Sequence, residues 1–211
     1  MEGVRNVLFH EIHIEGVYII EPEPFMDSRG MFARISCAGE LEDHGLEGRI
    51  AQVNRSRTNA IGAVRGMHYQ HPPMAEVKIV SCICGRVFDV VVDLRAGSPT
   101  MFQWFGTELS VDNMRAIYIP KGFAHGFQVL TPDSELLYFH SEAYSPSHEG
   151  GVRWDDPRVA VKWPLAATDI SERDKNLPLL TPGFTGITVD CVNKEKNETH
   201  RKSDCRGGSC L

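Results

Sequence analysis

Short apolar runs rich in Val, Ile and aromatic residues recur along this chain, each broken by Gly, Pro, Asn or Asp. They are Gly16 to Ile20, Met31 to Ile35, Arg49 to Arg55, Ala63 to Gln70, Glu76 to Ile83, Arg86 to Leu94, Phe102 to Leu109, Arg115 to Ile119, Ala124 to Leu130 and Ser134 to His140. Many short strands at this spacing specify an all-β sandwich or barrel. Cys84-Gly85-Arg86, between two such runs, marks a tight hairpin connection. Two short helices are expected beside the strands. One lies around Leu41 to Gly45. The other covers Ile170 to Lys175, with Ser171 as its N-cap and Asp174 three residues on. The chain has 211 residues, enough for one well-cored domain. Hydrophobicity falls after about Gly183, so we expect one domain over 1–183 and a polar, mobile tail over 184–211.

Composition narrows the function. Hydrophobic residues make up 42% and charged residues 24%, as in ordinary globular proteins. The net charge of -6 attracts neither nucleic acid nor an anionic membrane, so an anionic ligand would need positive charge focused in its pocket. The N-terminal stretch has no continuous apolar segment of the signal-peptide kind, and no later run is long enough to span a membrane. The expected location is cytoplasmic, and the six cysteines are expected as reduced thiols. Cys82 and Cys84, two apart in a strand, are expected to share a face and pack. Cys205 and Cys210 have the wrong spacing for a zinc half-site, and the triplet Asn197-Glu198-Thr199 carries no meaning without secretion.

The densest polar cluster within β-like sequence is Val64-Arg65-Gly66-Met67-His68-Tyr69-Gln70. Arg and His are costly to bury unless they pair or bind something. Strict alternation puts Arg65 and His68 on opposite faces, one of them toward water. A bulge at Gly66 would return both to one face. Both readings stay open on this segment alone.

A second segment, Ile119-Pro120-Lys121-Gly122-Phe123-Ala124-His125-Gly126-Phe127, has the PxGxxH spacing of the second cupin motif. Gly62 and His68 fit the first motif, but Gln70 stands where its second histidine belongs, and Glu76 and Gly85 follow late. His68 and His125 alone cannot hold a catalytic metal, which usually needs three protein ligands. His71 is one residue out of register and runs into Pro72-Pro73. Taken by itself, His125 reads equally as a packed core histidine.

Further motifs extend the pattern: Asp27 to Phe32, Gln52 to Ser56, Lys78, Asp89 to Arg95, Ser98-Pro99-Thr100, Leu137-Tyr138, Tyr144, Gly151 to Pro157, Trp163-Pro164 and Ser171 to Lys175. Over roughly residues 7 to 181 the chain resembles the dTDP-4-dehydrorhamnose 3,5-epimerases and their antibiotic-sugar relatives. The resemblance implies a cupin-type jelly-roll barrel, a nucleotide-sugar substrate, no metal or organic cofactor, and a homodimer. It implies His68 as base, Asp174 as its carboxylate partner, Tyr138 as the acid on the opposite face of the ring, and Lys78 near the C4 oxygen. Arg29, Gln52, Asn54 and Arg65 resemble the residues that hold nucleotide and diphosphate. His125, Tyr144 and Lys175 are placed at the substrate by the same resemblance. Met31 and Arg34 occupy positions where the family usually has an aromatic residue and a glutamate near the base. Methionine covers a base without stacking like a ring, and arginine reverses the charge, so recognition of the nucleotide base is expected to differ.

The chemistry explains why these residue types belong together. A C4 ketone acidifies the hydrogens on C3 and C5. Removing one gives an enolate, and returning a proton from the other face inverts the centre. Histidine is the side chain closest to neutral unperturbed, and a carboxylate on its second nitrogen fixes the tautomer. The enolate oxygen needs preorganised donors, and the diphosphate suits arginine forks. Three rivals remain: an epimerase inverting only C3 or only C5, a metal-dependent cupin oxygenase or isomerase using His68, His71, Glu76 and His125, and a non-catalytic sugar-nucleotide binder.

Overall fold

The computed structural model describes residues 7–189. Thirteen strands occur there in chain order: β1 Val7–Glu11, β2 Tyr18–Pro22, β3 Phe25–Asp27, β4 Gly30–Phe32, β5 Gln52–Thr58, β6 Val64–Gln70, β7 Lys78–Cys84, β8 Arg86–Asp93, β9 Trp104–Ser110, β10 Ala116–Ile119, β11 Phe123–Val129, β12 Ser134–His140 and β13 Glu149–Gly151. Helix α1 spans Ala38–Asp43 and α2 spans Glu172–Lys175. The Ser171 side chain accepts from the Asp174 backbone N–H, the capping geometry its position suggests.

The strands form a six-stranded sheet, ordered β1-β2-β10-β7-β12-β5, facing a five-stranded sheet, ordered β13-β6-β11-β8-β9. This is the expected cupin-type jelly roll. Hairpin β3–β4 stands apart as a two-stranded ribbon with all six residues exposed.

Both outer faces are covered as well as the interior. Leu41 and Leu46 pack with Ile20, Ile79 and Tyr118 outside the larger sheet. The segment carrying Val152, Val159, Trp163 and Ile187 packs on Met67, Val90 and Val92 outside the smaller one. Strands buried on both faces read as continuous apolar runs rather than alternations, which is why β8 is so rich in valine. Each fully buried Val or Leu contributes about 1.5–3 kcal/mol relative to exposure.

The interior is divided along its length. Inward positions are apolar at one end of the strands, with Val80, Cys82, Phe127, Val129 and Leu136 in one cluster. Continuing inward along the same strands brings Lys78 on β7, His125 on β11, and Tyr138 then His140 on β12. Register places His140 opposite Lys78 and His125 opposite His68. The polar end of the barrel is therefore assembled from the ends of strands whose other halves form the core.

Several expectations need adjustment. Strands β1, β3 and β13 lie outside the apolar runs, because they are edge or ribbon strands with little burial to mark them. Cys82 is buried but Cys84 is exposed: a register shift at Glu135/Leu136 separates them at the end of β7. Residues 184–189, assigned from composition to the tail, remain docked. Ile187 is 3% exposed and bridges in parallel to Arg95, with Phe184 and Val189 packed beside it. Cys205, Cys210 and the Asn197 triplet lie outside the described residues.

Candidate active site

The site begins with a backbone irregularity. Between β6 and β11 the register passes from His125↔His68 to Phe127↔Arg65, so β6 carries one extra residue. This is the bulge that Gly66 allows, and it turns Arg65 and His68 to the same cavity. Gly66 has φ +114°, and a Cβ there would lie 2.7 Å from the Gly126 Cα and the His125 carbonyl oxygen. A Cβ on Gly126 would lie 2.6 Å from the Arg65 carbonyl oxygen. Two glycines let these paired strands approach closely at the bulge between His68 and His125.

The cavity has a volume of about 270 Å³ and is lined by Asn54, Arg55, Ser56, Arg65, His68, Lys78, His125, Gly126, Phe127, Tyr138 and His140. That is slightly below the usual ~300–1,000 Å³ of small-molecule sites, room for a sugar ring rather than a whole sugar nucleotide.

His68 Nε2 lies 2.8 Å from Asp174 Oδ1. The other Asp174 oxygen accepts the Gly66 N–H at 3.2 Å. Burial opposes ionisation of Asp174, but the hydrogen bond and charge of His68, the Gly66 N–H and the charge of Arg173 hold its carboxyl below the ordinary range. A carboxylate facing Nε2 makes that nitrogen the N–H and leaves Nδ1 with the lone pair. His125 repeats the arrangement, with Nε2 2.8 Å from Oδ2 of the fully buried Asp89. Across the barrel, the Tyr138 hydroxyl is 3.0 Å from Ser56 Oγ. Burial pushes the Tyr138 phenol well up, so it stays protonated at neutral pH. Lys78 Nζ contacts Glu76 Oε1 at 3.2 Å and the His68 carbonyl at 3.3 Å.

Of the residues expected at the site, His68, Lys78, Tyr138, His125, Asn54 and Arg65 line the cavity, and Asp174 backs it through His68. Gln52 stands one link away, its amide donating to Asn54 Oδ1. Tyr144 is half exposed, and its hydroxyl donates to Glu149. Lys175 is exposed and paired with Glu172. Arg29, Met31 and Arg34 are not brought to this chain's cavity. Arg29 pairs with Asp27 on the exposed hairpin, Met31 is beside it, and Arg34 donates to Glu40 at 2.6 Å. Sequence reasoning left out Ser56, Asp89 and His140. A carboxylate inside the apolar run of β8, and a histidine sharing Tyr138's strand parity, were the available signals.

The proposed metal-ligand set is dispersed. His71 is exposed and packs edge-on against Tyr69, which belongs to the outer cluster. Both Glu76 oxygens are taken, by His140 and Lys78. Among the described residues no three His, Cys, Asp or Glu side chains converge as a ligand group. Gln70, in the second-histidine position, is a buried strut: its amide donates to the Met74 and Ala143 carbonyls and accepts the Ser145 N–H.

Residues 11–182 match the family model described as dTDP-4-dehydrorhamnose 3,5-epimerase. The chain belongs to that family. Relatives of this epimerase-family chain include the dTDP-4-dehydrorhamnose 3,5-epimerase of Pseudomonas aeruginosa, 43% identical over 77% of this chain and 90% of that one. The dTDP-4-dehydrorhamnose 3-epimerase of Streptomyces niveus is 42% identical over 79% and 81%. The crystal structure of a dTDP-6-deoxy-D-glucose-3,5-epimerase from Legionella pneumophila, in complex with dTDP-4-keto-L-rhamnose, superposes with a TM-score of 0.81 at 37% identity, covering 88% of this chain and all of that one. Fold and family expected from the motifs therefore both hold.

Proposed function

We propose that this protein epimerises C3 and C5 of a nucleotide-diphospho-4-keto-6-deoxyhexose. His68 takes the proton beside the C4 ketone, and Asp174 stabilises the imidazolium that forms. The enolate oxygen is held by the Lys78 ammonium. Tyr138 then delivers a proton to the same carbon from the other side, and the His68 proton returns to solvent as Tyr138 is reloaded. Arg65 and Asn54 hold the diphosphate end, and His125 lines the sugar.

One observation carries this reading: His68 stands on the five-stranded sheet and Tyr138 on the six-stranded one, so base and acid approach the cavity from opposite walls. Inversion needs that separation, since one group cannot serve both faces.

The deciding experiment incubates 4-keto-6-deoxy sugar nucleotides with the protein in deuterium oxide and follows label and configuration at C3 and C5. No exchange with any of them would overturn the reading. Inversion at C3 alone would favour the narrower enzyme, a reading supported by the similarity to the Streptomyces niveus 3-epimerase. Activity that survives chelation separates this chemistry from a metal-dependent cupin.

Arg29 and Met31 can reach substrate only if a second copy carries its hairpin over this cavity, and a homodimer is part of the proposal. So is a cytoplasmic location, checked by cell fractionation. Among the described residues, no helix is long and apolar enough to cross a membrane.

A further inference from the structure

Behind Lys78 lies a group of side chains that the mechanism has not used. Glu76 Oε2 is 2.8 Å from His140 Nδ1, and Glu76 Oε1 is 3.2 Å from Lys78 Nζ. All three side chains are nearly buried, at 8%, 12% and 10% exposure for Glu76, His140 and Lys78. Lys78 and His140 line the cavity and Glu76 does not. The carboxylate therefore sits beneath the two cationic or donor groups and faces neither solvent nor ligand.

The hydrogen-bond inventory makes this arrangement directional. An ammonium has three N–H bonds. Glu76 takes one and the His68 carbonyl takes a second at 3.3 Å, which leaves the third for the cavity. His140 must donate from Nδ1 to the carboxylate, so its Nε2 accepts, 3.4 Å from the Asn54 amide nitrogen. The His140 ring lies nearly parallel to that of Tyr138, at 19° with centroids 6.1 Å apart. Burial alone would push the Glu76 carboxyl up, but the bond from His140 and the charge of Lys78 hold it below the ordinary range.

We propose that Glu76 and His140 are positioning residues that clamp the Lys78 ammonium so that its one free N–H points at the developing C4 oxyanion. The inference rests on the epimerase reading above. His140 fixes the carboxylate, the carboxylate fixes the ammonium, and the ring of His140 also abuts the acid Tyr138. Lysine has a flexible stem and a point charge. Without the clamp its preorganisation, and so its preferential binding of the enolate over the ketone, is lost.

A crossover at His140 tests this in the full chain. His140→Gln keeps an N–H donor toward Glu76 and removes the ring. His140→Phe keeps a ring beside Tyr138 and removes the donor. We expect His140→Phe and Glu76→Gln to lower kcat about tenfold or more with KM within about twofold, and His140→Gln to restore kcat to within about threefold of wild type. Equal losses in the two His140 variants, or retention by Phe and loss by Gln, would overturn the proposal. One readout does not depend on turnover. The ¹⁵N imidazole spectrum should show His140 protonated on Nδ1, toward Glu76. An Nε2–H tautomer would refute the clamp. If the wild type exchanges no sugar hydrogen, the epimerase reading falls, and this spectrum still decides the clamp.

Discussion

Asp174 meets His68 across 106 residues of sequence, and it grips both the side chain, at 2.8 Å, and the bulge that aims it, through the Gly66 N–H at 3.2 Å. One carboxylate thus sets the tautomer of the His68 ring and the backbone beneath it. Asp174→Asn keeps the shape and loses the charge. We expect kcat to fall about a hundredfold to ten-thousandfold, as when a triad carboxylate is neutralised. Wild-type turnover in that variant would show that the pairing is structural only.

If His68 is the proposed base, His68→Asn should abolish exchange at both sugar carbons, since in that proposal one base serves two centres flanking one ketone. Circular dichroism and the thermal midpoint should stay close to wild type, since His68 is half-buried at the cavity wall. Residual exchange at either carbon at the wild-type rate would reveal a second base.

Tyr138→Phe should uncouple the two proton steps. Deprotonation by His68 continues while delivery from the other wall slows, so deuterium washes into substrate faster than product forms. Ser56→Ala, which removes the partner of the Tyr138 hydroxyl, should slow product formation less. Parallel loss of wash-in and product in Tyr138→Phe would count against a dedicated acid.

Stability should have a distinct acid limb. Burial opposes the ionisation of Asp174, Glu76 and Asp93, yet their partners hold all three carboxyls below the ordinary range. Unfolding restores ordinary values, so protonation favours the unfolded chain. Their contribution is fully present above about pH 5 and is lost as pH falls further, through the depressed values. Urea midpoints measured from about pH 7 down to about pH 2 should hold and then drop. Asp93→Asn, which removes the carboxylate bound by Arg95, Ser98 and Thr100, should flatten the drop. A midpoint independent of acid would refute the assignment.

The hairpin predicts association. Met26, Met31 and Phe32 are 65%, 56% and 62% exposed on a ribbon that belongs to neither sheet. Apolar surface of this kind marks an interface. Light scattering at micromolar concentration should give a dimer mass, and Met31→Glu should lower it. A monomer mass for the wild type would overturn the homodimer.

Much of this molecule was legible in its residues, and the limits were physical. Buried strands such as β8 and β11 announce themselves by valine and phenylalanine. The Gly66 bulge was readable as one of two options, because a glycine inside a strand has few other uses. Ser171 foretold α2. By contrast β3 buries nothing and no run marked it, the run Met31 to Ile35 meets β4 only at Met31 and Phe32, and Arg29, Met31 and Arg34 could not be placed relative to a cavity their own chain does not bring them to. The pairs Asp89–His125 and Glu76–His140 depend on which inward positions face each other across two strands. That is a property of register, which no local pattern carries.

The interior of this barrel changes character along its strands, apolar at Leu136 and Val129, polar at Tyr138 and His125. Foundation and workshop share the same beams. The lower half can therefore be repacked for heat resistance with little disturbance of the cavity, and the cavity end can be recut without undermining the core that carries it. One point that admits no such freedom is the close approach of Gly66 and Gly126, where an added Cβ would press on the backbone that carries His68 and His125.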